Sequence, residues 1–177
     1  MRIVSALNIL HRFDVKGRYV YTSKDLAKLF SDDNHHAFRA GLNRLVKNGI
    51  LQRVVRNVYV FSYSRNISGD TVELIAISLR RGHYNYVSLE SALSLYGVIS
   101  QVPIDRLTVV TTGREGEFNT PYGVIEFTHT KRSVSEIIGS VIDNEQPLRL
   151  ATKKTALRDL KRVGRNLHLI DRSEIDE

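Results

Sequence analysis

The stretch from Asn34 to Phe61 constrains the fold more than any other part of the chain. From Asn34 to about Asn48, Phe38, Leu42, Leu45 and Val46 fall within one sector at 100° per residue, the spacing of a helix with one apolar face. Gly49 then supplies a C-terminal stop. Ile50–Val54 and Val58–Phe61 follow as two β-branched and aromatic runs, joined by Val55-Arg56-Asn57. Asn is one of the few residues other than Gly that accepts a positive φ, so a tight hairpin turn at Asn57 is feasible.

The residues upstream complete a pattern. Arg2–Phe13 has Ile3, Leu7 and Leu10 at helical spacing, and Tyr19-Val20-Tyr21 is a short β-prone run. Thr22-Ser23-Lys24-Asp25 reads as a capping box opening a second helix that carries Leu26, Ala27, Leu29 and Phe30. Ser31-Asp32-Asp33-Asn34 ends that helix and caps the next. Helix, short strand, helix, turn, helix and hairpin within residues 1–61 is the order of a winged helix-turn-helix, whose third helix enters the major groove while the hairpin, or wing, lies along the backbone.

Charge distribution points the same way. The chain carries 26 Lys and Arg against 19 Asp and Glu, a formal net charge of +7. Residues 1–61 hold 11 basic and 4 acidic residues, so the whole excess lies in this segment. A compact basic module fits a polyanionic partner. On the third helix, His36, Asn43, Arg44 and Lys47, with Arg39 at the border, occupy the face opposite the apolar one. Arg and Asn are the side chains that read guanine and adenine through paired contacts. Expected DNA contacts are therefore Thr22, Ser23 and Lys24 at the start of the second helix, Asn34, His36, Arg39, Asn43, Arg44 and Lys47 on the third, and Arg53, Arg56 and Asn57 on the wing. Lys24, Arg53 and Arg56 are assigned to phosphates and the third helix to bases.

Residues 62–69 are polar, without periodicity, and read as a linker to a second domain over 70–177. There the pattern predicts a helix from Asp70 to Arg81, one over Leu89–Tyr96 capped by Ser88, a strand over Leu107–Thr112 and a hairpin over Phe118–Thr128. A helix through Ile137, Ile138, Val141 and Ile142 and a last one over Thr152–Val163 complete it. The mixture is α+β, a winged helix-turn-helix followed by a small mixed α/β domain.

Three blocks in this half, Tyr86–Ile99 (YVSLESALSLYGVI), Val109–Arg114 (VVTTGR) and Phe118–Gly123 (FNTPYG), resemble the AbiEi-type antitoxins of type IV toxin–antitoxin and phage abortive-infection systems. That resemblance implies a winged helix joined to a C-terminal antitoxin domain. It implies an autorepressor that binds inverted repeats in the promoter of its own operon, on double-stranded DNA. It also implies a partner, a cognate toxin resembling nucleotidyltransferases. The reading that competes with it is a winged-helix transcription regulator whose second domain senses a ligand or protein partner without a toxin. A third is an interaction protein whose basic surface is incidental.

Other features have plain structural explanations beside functional ones. On the last helix Lys154, Arg158, Lys161 and Arg165 step by four, three and four; with Lys153 and Arg162 they could contact the toxin or a second stretch of DNA, or form a solvated face suited to a helix C-terminus. The acidic segment Asp171–Glu177 could shield them. Thr111-Thr112-Gly113-Arg114 could form an anion-binding nest or a plain turn, and the turn is the simpler account. The absence of Cys excludes disulfides, thiol catalysis and Cys-ligated metal, and is consistent with a cytoplasmic protein. The six His are scattered or adjacent, without metal-ligand spacing, and no catalytic arrangement or cofactor motif is visible, so neither an enzyme nor a cofactor is expected. No apolar run reaches the ~18 residues of a membrane span, and the N-terminal segment lacks the features of a signal peptide.

Overall fold

A computed structural model describes residues 2–100 and 105–171. The chain is α+β and divides into two compact units between Thr71 and Val72.

In the first unit the elements are α1 (Ile3–Asp14), β1 (Val20–Thr22), α2 (Ser23–Leu29), α3 (His35–Lys47), β2 (Leu51–Val55) and β3 (Val58–Phe61). The strands form an antiparallel sheet in the order β1-β3-β2, with Val20 opposite Val60 and Leu51 opposite Phe61. Because β3 is the central strand, all four of its residues are buried. Ala6 and Leu10 of α1, Leu26 and Phe30 near α2, and Leu42 and Leu45 of α3 fill the core with Leu51, Val54 and Val58. Burying one such side chain contributes roughly 1.5–3 kcal/mol relative to leaving it exposed.

Local chemistry fixes the joints. Thr22 and Asp25 form the capping box: Thr22 Oγ1 accepts from the Asp25 amide at 3.2 Å, and Asp25 Oδ2 accepts from the Thr22 amide at 2.8 Å. At the end of α3, Gly49 takes φ 67°, a left-handed conformation that lets the Ile50 amide reach Leu45 O at 2.9 Å and turns the chain into β2. Residues 62–69, read from sequence as a linker, are tied to α1. Asp14 is buried, its carboxylate accepts from Ser64 Oγ, and Asn66 Nδ2 donates to Asp14 Oδ1 at 2.9 Å. Tyr19 Oη and Thr71 Oγ1 are hydrogen-bonded at 2.9 Å.

The second unit contains α4 (Thr71–Leu79, whose first residue belongs to the first unit), β4 (Asn85–Val87), α5 (Leu89–Leu95), β5 (Arg106–Thr111), β6 (Gly116–Thr120) and β7 (Gly123–His129). α6 (Val134–Ile138), β8 (Val141–Ile142), β9 (Arg149–Ala151), α7 (Lys153–Val163) and a short 3-10 turn at Leu167–Leu169 follow. Its six strands run in the order β6-β7-β5-β4-β9-β8, with β5–β7 and β4–β9 parallel and the other pairs antiparallel. α5 packs on both β5 and α7.

A buried polar cluster crosses this unit. Asp159 on α7 is fully buried; it accepts from Ser88 Oγ at 2.8 Å and is ion-paired with Arg132, which also donates to Tyr86 Oη at 3.1 Å. Burial first, and the Asp159 carboxylate second, push the Tyr86 hydroxyl up to about 12.

Several expectations need correction. Ser88 holds the N-cap position of α5, but its hydroxyl makes no cap bond and goes to Asp159 instead. Val141 and Ile142 are not helical. α6 stops at Ile138, and these two β-branched residues pair with Ala151 and Leu150 as an edge strand. The segments β4 and β9, three residues each, are too short to give a usable alternation in the sequence. Arg165 lies outside α7, because Gly164 ends that helix at φ 73°.

Candidate nucleic-acid interface

α3 is built so that one face must be outside. Leu42 and Leu45 are buried and Phe38 and Val46 partly so, which turns His36, Arg39, Asn43, Arg44 and Lys47 outward; all five are exposed. All five carry N–H donors, and Asn43 also carries an acceptor oxygen. Asn34, expected among the DNA contacts, has another duty: its Oδ1 accepts from the Ala37 amide at 2.9 Å and caps α3.

The β2–β3 hairpin closes on Arg56 and Asn57. Val55 pairs with Val58, and a register shift between Arg53 and Val55 marks an irregularity in β2. Asn57 adopts φ 66°, as its side chain permits. Arg53, Arg56 and Asn57 are all exposed. The turn is fastened to the start of α2, where the Ser23 amide donates to Asn57 O at 3.0 Å and Ser23 Oγ donates to Asn57 Oδ1 at 3.3 Å. Ser23 and Asn57 are thus brought together, with Lys24 exposed one residue on. The Thr22 hydroxyl is committed to Asp25 both as acceptor and, at 2.8 Å, as donor.

Sequence patterning does not single out Arg18, although it is basic and close to this region. Its Nη2 pairs with Asp25 Oδ1 at 3.1 Å and its guanidinium lies over the Phe13 and Tyr21 rings. It holds the loop between α1 and β1. Tyr21 is fully buried, which pushes its hydroxyl up to about 12, and Arg18 offsets part of that shift.

The second group of basic residues is split. Lys154, Arg158 and Lys161 are exposed along α7, and with Lys153 they line a groove of about 910 Å³ together with Ser140 and Thr152. Arg162 donates to His129 O at 3.2 Å. Arg165 leaves the stripe altogether. Its Nε donates to Glu90 Oε1 at 2.7 Å and its Nη1 to Glu126, whose other oxygen accepts from Arg106 Nη1 at 2.7 Å. Beyond Asp171, the acidic segment expected to shield α7 lies outside the described residues. The turn after β5 uses its own amides: the Gly113 amide donates to Thr111 Oγ1 at 3.0 Å and the Thr112 amide to Tyr84 O at 3.0 Å. Neither is directed to a nest.

No family model matches the chain, and no curated protein sequence matches it either. No described helix is long and apolar enough to cross a membrane.

Proposed function

We propose that the first unit is a winged helix-turn-helix and that the protein is an operator-binding repressor. The observation that carries this reading is the single exposed face of α3, where His36, Arg39, Asn43, Arg44 and Lys47 stand together in the unit that holds the whole net positive charge. The hairpin with Arg53 and Arg56, two exposed cations on one short element, supports it. In this reading α3 enters the major groove. Arg39 and Asn43 contact base edges; Lys24, Arg53 and Arg56 neutralise phosphates. Asn34 and Thr22 act indirectly, by setting the starts of α3 and α2.

The resemblance of residues 86–123 to AbiEi-type antitoxins extends the proposal. The protein represses its own operon through inverted repeats and counteracts a nucleotidyltransferase-like toxin, acting in the cytoplasm where both are found. The second unit is then the antitoxin domain, and the α7 groove with Lys154, Arg158 and Lys161 is its candidate toxin contact.

Two experiments test the two parts. A mobility-shift assay on the protein's own promoter, with wild type and the Arg39→Ala and Asn43→Ala variants, tests the DNA half. Co-expression with the product of the adjacent reading frame, scored for growth rescue by the full chain and by a Lys154→Ala/Arg158→Ala/Lys161→Ala variant, tests the antitoxin half.

A further inference from the structure

Arg80, just beyond α4, is held in a setting that leaves its charge uncompensated. Its guanidinium carbon lies 5.0 Å from the centre of the Phe118 ring and 4.5 Å from that of Phe127, a position that fixes the plane of the group. Its Nε donates to Arg114 O at 2.7 Å and its Nη1 to Leu79 O at 3.2 Å, both neutral backbone acceptors. Nη2 has no protein acceptor among the described residues.

Two glycines let the backbone approach Arg80 closely. A Cβ at Gly113 would stand 2.9 Å from the His83 ring and 3.1 Å from Arg80 Cδ, so no side chain fits there. Gly116, at φ 150°, would place a Cβ 3.7 Å from Arg80 Nη2. Gly113 in the turn after β5 and Gly116 at the start of β6 therefore both lie against the Arg80 side chain. Arg114, exposed on the same turn, is close enough that its charge, after burial, helps hold the Arg80 guanidinium below its usual pKa. Among the described residues no carboxylate pairs with either guanidinium.

Two like charges held together with no counter-ion are destabilising unless an anion joins them. Guanidinium groups with a fixed plane favour tetrahedral oxyanions that accept several N–H bonds. We propose that Arg80 and Arg114 form a seat for a phosphate group. Arg80 is the oriented donor, through Nη2, and Arg114, exposed on the adjacent turn, the second arm. The seat lies wholly within the second unit and does not depend on the proposed operator binding by the first.

The test uses the full chain, labelled with ¹⁵N, and follows the amides of Gly113, Arg114 and Gly116 during titration with inorganic pyrophosphate at constant ionic strength. Saturable shifts of these amides are expected. Arg114→Ala, which removes an exposed side chain with no described side-chain partner, should weaken the response about tenfold or more, equivalent to about 1.4 kcal/mol. Titration with ADP and with a duplex of unrelated sequence identifies the source. Competition by ADP alone supports a free phosphorylated ligand. Competition by the duplex, lost in Arg114→Ala, supports a DNA backbone phosphate seated at the same place. Amides that do not move with any probe, or that move equally in wild type and Arg114→Ala, overturn the proposal.

Discussion

Ser88 Oγ donates to Asp159 Oδ2 at 2.8 Å, which ties the turn between β4 and α5 to the middle of α7, 71 residues away in sequence. Arg132 closes the same cluster from the segment after β7. A fully buried carboxylate of this kind is tolerable only because each of its neighbours donates to it.

Asp159→Ala should therefore destabilise the second unit strongly. It strands the Arg132 guanidinium, largely buried, and leaves Ser88 without its acceptor. Breaking a buried pair from one side costs about 3–5 kcal/mol. Urea unfolding followed by a probe in the second unit reads this directly, and Ser88→Ala, which removes one neutral donor, should cost much less.

Glu90 makes stability depend on acid in a defined direction. Burial would raise its pKa, but hydrogen bonds from Arg165 and Asn166 outweigh that and hold it below the ordinary value of 4.5. A group with a depressed folded pKa contributes stability above its unfolded pKa and loses it as pH falls through the folded value. Arg165→Ala removes the main partner and leaves Glu90 buried, so its carboxyl should titrate higher than in the wild type. The stability difference between wild type and Arg165→Ala should be largest at neutral pH and shrink in acid, as measured by denaturant titrations at a series of pH values.

The hairpin turn offers a conformational test. Asn57 sits at φ 66°. Asn57→Gly should leave stability within about 0.5 kcal/mol, whereas Asn57→Val, β-branched in a left-handed conformation, should cost roughly 1–2 kcal/mol. Thermal unfolding of the two variants compares them.

Thr22 separates capping from recognition. Both hydroxyl functions are spent on Asp25. Thr22→Ala should cost about 0.5–2 kcal/mol of stability, and Thr22→Ser should restore most of it. Operator affinity of Thr22→Ser should equal that of wild type.

Sequence is most informative where a residue acts on its near neighbours. The capping bonds of Asn34 and of Thr22 with Asp25, and the backbone reversals at Gly49 and Asn57, are local events, so these caps and turns are legible in the sequence. The outward face of α3 is legible for a related reason: Phe38, Leu42 and Leu45 declare the inner face through helical spacing alone. What is not legible depends on partners far along the chain. Ser88 resembles a cap in sequence because Asp159, its real acceptor, lies on another element. Arg165 resembles the next step of the α7 stripe because the pattern of four, three and four continues past Gly164, while its actual partners, Glu90 and Glu126, sit on α5 and β7. Arg80 carries no sequence signal at all, since its setting comes from two rings on β6 and β7 and from Gly113 and Gly116, more than thirty residues away.

Whether α3 and the hairpin grip operator DNA is read from the salt dependence of promoter binding. If Lys24, Arg53 and Arg56, with Arg44 and Lys47 at the end of α3, neutralise about four phosphates between them, the logarithm of the binding constant should fall with the logarithm of salt at a slope of about −3.6. Arg56→Ala should reduce that slope by about one, across all sequences. Arg39→Ala and Asn43→Ala should each cost about 1–3 kcal/mol on the operator and relax base preference. A promoter affinity that barely changes with salt, or that is the same in all three variants, would contradict the assignment of this unit to DNA.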